Sequence, residues 1–274
     1  MIRARKRFGQ HFLEPIWADK VARAINPQAT ETFVEIGPGR GALTRPLLAR
    51  ARAVVAFEID RDLASQLREA GLRNLTVVEG DFLASRWLLT NPLDGRLRVA
   101  GNLPYNVASP ILFKLGEIHA AGIPIVDATL MLQREVANRL AADSGTREYG
   151  ALSILIRHTA DVEPLFVIPP GAFRPAPKVY STLVRVRFHA PNPPAHDTAT
   201  FTALVQAIFT RRRKTIANAL RAFPPAQRLG PLAALEGAAL DATRRPETLT
   251  ISELVRLANV FAAANMSPHL PEKR

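Results

Sequence analysis

The chain contains no cysteine, which excludes a disulfide framework and a thiolate metal site. Its histidines, His11, His119, His158, His189, His196 and His269, are scattered without paired ligand spacing, so no metal site is expected. No apolar run approaches the roughly 20 residues of a membrane-spanning helix. The basic N-terminal residues are not followed by the apolar stretch of a signal peptide. A cytoplasmic protein without membrane attachment is expected. Acidic residues are scarce, with 24 Asp and Glu against 36 Lys and Arg, giving a net charge of +12. Arg far outnumbers Lys. A genome that favours Arg codons accounts for part of that ratio but not for the charge. Guanidinium matches phosphate geometry bidentately, so a nucleic-acid partner fits the balance. Apolar residues make up 47%, enough for a real core and too many for disorder. The 274 residues allow one large domain or two modest ones.

Along the chain, a basic arm ends in the cluster Phe8 to Leu13, and Trp17 to Ile25 has the pattern of an amphipathic helix stopped by Asn26-Pro27. Thr32 to Ile36 reads as a strand, followed by Gly37-Pro38-Gly39-Arg40-Gly41 and a helix over Ala42 to Arg50. Ala53 to Glu58 is the next strand and ends in an acid. Glycines at such a turn let the backbone approach a ligand, and the acid suits ribose hydroxyls. The spacing Gly-x-Gly-x-Gly after Glu35 is commoner in S-adenosylmethionine (SAM) methyltransferases than in dinucleotide folds. A dehydrogenase is the alternative. A helix over Asp60 to Ala70 and a strand over Leu75 to Glu79 follow, closed by Gly80-Asp81. Asp81 reads equally as an acceptor for the adenine amino group of a cofactor and as the cap of the next turn.

The strand-like run Leu97 to Ala100 leads into Gly101-Asn102-Leu103-Pro104-Tyr105 and then a helix over Val107 to Leu115. Taken alone, these residues are an ordinary turn. At the carboxyl end of a parallel strand they suit methylation of an exocyclic amine. The lone pair of such an amine is delocalised into the ring. Acceptors on its N–H groups, here the Asn102 side-chain oxygen and the Leu103 carbonyl, would localise it. Pro104 would fix the turn and Tyr105 would offer a face for an extruded base.

Thr129 to Gln133 reads as a fifth strand, Arg134 to Ala142 and Tyr149 to His158 as helices, with Arg157 and His158 at a solvated end. Glu163 to Ile168 and Thr182 to Phe188 read as an antiparallel pair. Between them lies the proline-rich Phe173 to Val179 loop, whose Phe173 either projects into a cleft or anchors the loop. The proline-rich stretch Ala190 to Asp197 reads as a linker. Phe201 to Phe261 is helical by pattern and carries Arg211-Arg212-Arg213-Lys214 on an expected amphipathic helix. That run is either a phosphate-facing patch or a solvated face. The expected architecture is α/β, a Rossmann-like SAM-methyltransferase sheet in residues 1–189, a small all-α domain in residues 198–265, and a tail over 266–274.

Phe8-Gly-Gln-His-Phe-Leu13, Glu35 to Thr44, Glu58-Ile-Asp60, Gly80-Asp81, Gly101 to Asn106, Phe173 to Val179 and Arg212 to Leu220 together resemble the small-subunit ribosomal RNA adenine dimethyltransferases, in family order. The resemblance implies dimethylation of N6 on two adjacent adenines in the 3′-terminal hairpin loop of 16S rRNA, with SAM as donor and the small-subunit precursor as partner of a monomeric enzyme. It implies cofactor contacts at His11, Leu13, Gly37, Gly39, Glu58, Asp81 and Asn102. It implies target-base contacts at Asn102, Leu103, Tyr105 and Phe173, with Pro104 fixing their turn, and the basic run Arg211, Arg212, Arg213 and Lys214 is expected to contact RNA. Where His11 stands the family often has Asn, and where Tyr180 stands it usually has Asp, so Tyr180 receives no role. The rivals are a large-subunit rRNA methyltransferase of the Erm resistance type and a non-catalytic RNA-binding assembly factor. Leu103 and Arg212-Arg213-Lys214-Thr215 favour the small subunit, and the intact acceptor positions favour an enzyme.

Overall fold

The computed structural model describes residues 10–91, 93 and 96–266. Residues 1–9 of the expected basic arm over 1–13, with Phe8, and the tail beyond 266 lie outside the described residues. The elements run β1 (Phe12–Leu13), α1 (Pro15–Ile25), β2 (Glu31–Ile36), α2 (Thr44–Leu48), β3 (Ala53–Glu58), α3 (Arg61–Glu69), β4 (Leu75–Glu79), α4 (Trp87–Thr90), β5 (Arg96–Asn102), α5 (Ala108–Ala120), β6 (Ile125–Gln133), α6 (Arg134–Ala141), α7 (Ala151–Arg157), β7 (Ala160–Ile168), β8 (Phe173–Arg174), β9 (Ser181–Phe188), α8 (Thr198–Phe209), α9 (Ile216–Ala219), α10 (Ala226–Leu229), α11 (Pro231–Gly237) and α12 (Ile251–Met266).

Among the described residues, seven strands form one sheet in the order β4-β3-β2-β5-β6-β9-β7. β4, β3, β2, β5 and β6 are parallel neighbours, and β9 runs antiparallel to β6. Every residue of the central β2 is buried, as a strand covered on both faces requires. The chain leaves β2 toward β3 on one side, whereas β5 lies on the other. The strand order therefore reverses at β2 and opens a crevice at the carboxyl ends of β2 and β5. Helix α3 shows how sequence sets a boundary. Asp60 accepts the Asp62 N–H as its cap, and Leu63, Ala64 and Leu67 form one buried face.

The chain divides into two compact units, residues 1–138 with 161–188, and residues 139–160 with 189–274. The segment 139–160, expected in the first domain, thus groups with the second. Its Tyr149 and Ile154 join the apolar cluster of Phe201, Leu204, Ile208 and Phe261. The Tyr149 hydroxyl donates to the Leu249 carbonyl at 3.0 Å. The expected linker also belongs to this unit. His158, expected at a solvated end, is 2% exposed and bonded through Nε2 to the Pro193 carbonyl at 2.7 Å. Arg157 donates to the Ala142 carbonyl and to Asp143.

The first unit holds a buried ion network at the amino ends of its parallel strands. Arg98 grips Asp127 through Nε and a terminal nitrogen, both at 2.8 Å, and donates to Glu31 at 2.9 Å and to the Ile25 carbonyl at 2.9 Å. All three side chains are buried. Arg185 from β9 donates to the Ala24 carbonyl and lies 3.5 Å from Asp127.

Candidate active site

A cavity of about 820 Å³ opens at the carboxyl ends of β2 and β5. That volume lies in the range of small-molecule sites. Its floor is the turn after β2. Gly39 has φ +58°, and a Cβ there would lie 3.0 Å from the Phe12 ring, so the loop must stay bare. The Gly39 N–H donates to Glu58 Oε2 and the Asp60 N–H to Glu58 Oε1, each at 2.9 Å. This acid at the end of β3 is thereby aimed and fixed. Burial pushes the Glu58 carboxyl up, against the Asp60 and Gly39 N–H groups that hold it down. Arg40 covers the Phe12 ring at 4.3 Å.

Gly101 sits where β5 passes β2. A Cβ there would meet the Ile36 carbonyl oxygen at 2.7 Å, so this crossing admits only glycine without a backbone shift. Asn102 follows at the last residue of β5. Its amide nitrogen donates to the His11 carbonyl at 2.6 Å, leaving Oδ1 with no described hydrogen bond. The Leu103 N–H donates to the Met131 carbonyl, and no described bond ends on the Leu103 oxygen. The Pro104 carbonyl accepts the Val107 N–H and closes the turn. Tyr105 shares a hydrogen bond of 3.2 Å with Ser181 Oγ, and burial raises its phenol. The His11 ring stacks on Tyr105 at 5.8 Å between centroids, so that neighbour takes one side of the phenol ring.

A two-stranded ribbon organises the rim. β1 pairs antiparallel with β8, Phe12 opposite Arg174 and Leu13 opposite Phe173. The His11 Nδ1 donates to the Pro175 carbonyl at 2.7 Å. This ribbon brings His11 and Leu13 to the cavity beside Gly37, Gly39, Glu58 and Asn102 to Tyr105. Two expected site residues are not brought there. Phe173 is 1% exposed, in the apolar cluster of Leu13, Ile168 and Leu183. Alternation along β8 turns Phe173 inward and Arg174 toward the cavity, so the anchoring alternative describes it. Asp81 is exposed and outside the cavity lining, and its Oδ1 accepts the Leu83 N–H at 2.9 Å as a cap does, while no described bond engages its Oδ2. The run Arg211 to Lys214 lies in the turn between α8 and α9 rather than on a helix. Its Arg212 donates to the Arg147 carbonyl and faces Glu247 at 3.5 Å, while Arg211, Arg213 and Lys214 are exposed.

Glu35 lines the cavity; the sequence marked it as the acid before the glycine turn but assigned it no contact. It is 1% exposed, and its Oε2 has no hydrogen-bond partner among the described residues. Burial, with the nearby Glu58 charge adding, pushes its carboxyl up to about 8. The folded-state value lies above the ordinary 4.5, so the folded state binds the proton more tightly. The associated stability is present below about pH 4.5 and lost as pH rises through about 8. Glu35→Gln should therefore match the parent near pH 5 and exceed it by about 1–3 kcal/mol near pH 9, with cavity water moderating the gain. Urea unfolding at both pH values without cofactor checks this, and equal slopes against pH would reject it.

Among the described residues, no helix is long and apolar enough to cross a membrane, and no cluster of potential ligands could hold a metal. The family described as "Ribosomal RNA adenine dimethylase" matches residues 1–257. The ribosomal RNA small subunit methyltransferase A of Alcanivorax borkumensis is 42% identical over 261 residues, 94% of this chain and 90% of that protein. The protein of the same name from Aromatoleum aromaticum is 44% identical over 264 residues, 95% of each. The crystal structure of a dimethyladenosine transferase from Plasmodium falciparum shares the fold, with a TM-score of 0.77 at 24% identity, covering 93% of this chain and 98% of that one. The structure of the 23S rRNA methyltransferase ErmE is also similar, with a TM-score of 0.67 at 28% identity, covering 92% and 99%.

Proposed function

The chain belongs to the ribosomal RNA adenine dimethylases, and from that membership we propose that it dimethylates N6 of two adjacent adenines in the 3′-terminal hairpin loop of 16S rRNA. It is a SAM-dependent methyltransferase. Bound SAM supplies a methyl group on sulfonium. Gly37 and Gly39 would let the backbone lie against the cofactor, Glu58 would accept ribose hydroxyls, and the cavity suits a ligand of that size. His11 and Leu13 would border it from the ribbon.

The observation that carries the proposal is the fixed orientation of Asn102. Because the His11 carbonyl holds its amide nitrogen, Oδ1 and the Leu103 oxygen are left as acceptors at the mouth of the cavity. They would accept the two N–H groups of the target amine, localise its lone pair, and stabilise the charge that develops on nitrogen. Tyr105 would hold the extruded base by stacking. The nitrogen loses its proton after attack, so a general base is not required.

The small-subunit reading rests on relatives of that name at 42–44% identity, against 28% for the large-subunit enzyme. The substrate would be a precursor of the small subunit, met in the cytoplasm by a monomer. The exposed Arg211, Arg213 and Lys214 would contact phosphates, with Arg212 bracing the turn. Labelled SAM offered with under-methylated small subunits, large subunits and each free rRNA tests this. Label should enter 16S rRNA alone, and label in 23S rRNA would transfer the reading to the large subunit. In the same assay, neutralising Arg211, Arg213 and Lys214 should weaken RNA binding and flatten its salt dependence by about 0.7–0.9 for each phosphate no longer neutralised. An unchanged slope would leave the run a solvated face.

A further inference from the structure

We propose that Tyr180 is the stacking platform for the nucleobase adjacent to the adenine held at Tyr105. This rests on the reading of the substrate as RNA with an extruded adenine, and deepens it by naming where the neighbouring nucleotide goes.

Register places the residue. Asn102, the last residue of β5, pairs with Met131 of β6. β6 continues two residues further, to Gln133, which pairs with Ser181 at the start of β9. Tyr180 comes just before Ser181, and its carbonyl accepts the Arg134 N–H at 2.9 Å. It therefore stands past the end of the sheet on the side where the cavity opens, beyond Asn102 along the strand direction. Its backbone is fixed there. The Ser181 Oγ is bonded to the Tyr105 hydroxyl, so the start of β9 lies beside the target site.

The chemistry of the surface is that of a nucleotide site. Tyr180 is 49% exposed and Val179 43% exposed, an apolar and aromatic surface open to solvent. Arg134, whose N–H bonds the Tyr180 carbonyl, and Lys178, two residues earlier in the chain, are both exposed and supply positive charge suited to the phosphates on either side of a stacked base. An aromatic face beside cations is the pattern by which single-stranded nucleic acid is held without reading its sequence. A base extruded into the Tyr105 site has left its stacking neighbours, and the next base along the strand is bared on one face of its own stack. The ring of Tyr180 would cover that face. The site takes any nucleobase, purines preferentially, and binds no free mononucleotide strongly.

The test uses the full chain with its rRNA substrate at saturating SAM. Tyr180→Ala should raise the KM for RNA about 5- to 100-fold, the range that loss of one stacked base gives. It should leave kcat and SAM affinity within about twofold. Tyr180→Phe keeps the ring and should keep the parent KM. The loss in Tyr180→Ala should persist at high salt, since stacking releases no counterions. A substrate carrying 2-aminopurine next to the target adenine should be quenched on binding the parent and Tyr180→Phe, and less so on Tyr180→Ala. A parent-like KM in Tyr180→Ala, or a Tyr180→Phe variant as impaired as Tyr180→Ala, would overturn the proposal. Failure of the parent to methylate rRNA would overturn the proposed function instead, so the two failures are distinct.

Discussion

Asn102→Ala should slow methyl transfer by about 10²–10³-fold at saturating SAM, the loss expected for one preorganised group that stabilises developing charge. The way the side chain is held sets the size of this effect. A free asparagine amide can present oxygen or nitrogen to a ligand. Here the His11 carbonyl takes the nitrogen at 2.6 Å, which leaves the oxygen forward. Alanine removes the acceptor and leaves the Leu103 carbonyl alone on the target amine. RNA affinity should stay near that of the parent, because phosphates supply most of it. The second methylation is the more sensitive step, since a monomethylated amine has one N–H for two acceptors. The variant should therefore change the ratio of mono- to dimethyladenine. Single-turnover rates and mass spectrometry of digested rRNA measure both. Dimethylation at the parent rate would reduce Asn102 to Tyr105 to a turn and end the mechanism.

Arg98→Ala should cost the sheet unit about 3–5 kcal/mol, because it leaves buried charges uncompensated. Asp127 would be stripped of both 2.8 Å hydrogen bonds and Glu31 of its 2.9 Å bond, while the Ile25 carbonyl would be left without that donor. Arg185 remains near Asp127 at 3.5 Å, too weakly placed to replace the bidentate pair. A lower urea midpoint with an unchanged denaturant slope is the expected reading. The network lies at the amino ends of the parallel strands and the cavity at their carboxyl ends. Molecules that remain folded should accordingly bind SAM as the parent does. Parent-like stability would mean that water reaches these carboxylates.

This network was invisible in the sequence, where Arg98 sits inside an apolar run. Its partners lie 29 and 67 residues away, and nothing local records that separation. The glycine turn, Glu58 and Asn102 to Tyr105 were legible because each is a short segment whose neighbours along the chain are also its neighbours in space. The order of strand and helix was legible for the same reason, through periodicity. The strands β1 and β8 have two residues each and no period to read. Without them the inward turn of Phe173 and the cavity-facing Arg174 could not be distinguished. Charge alone could not show that Arg212 braces a turn, since Glu247 and Arg147 meet it only in the folded helical unit.

The β1–β8 ribbon sets a timetable for synthesis. His11 and Pro175 touch across 164 residues of chain. At about 5–20 residues per second, roughly ten to thirty seconds separate the two halves of this contact at the ribosome. In the later part of that interval, once Asn102 has been made, its amide has only an untethered His11 carbonyl to hold it. A nascent chain thus carries Asn102 to Tyr105 before it carries the ribbon that braces them. Competence to modify RNA arrives late, once β8 has emerged and closed on the beginning of the chain.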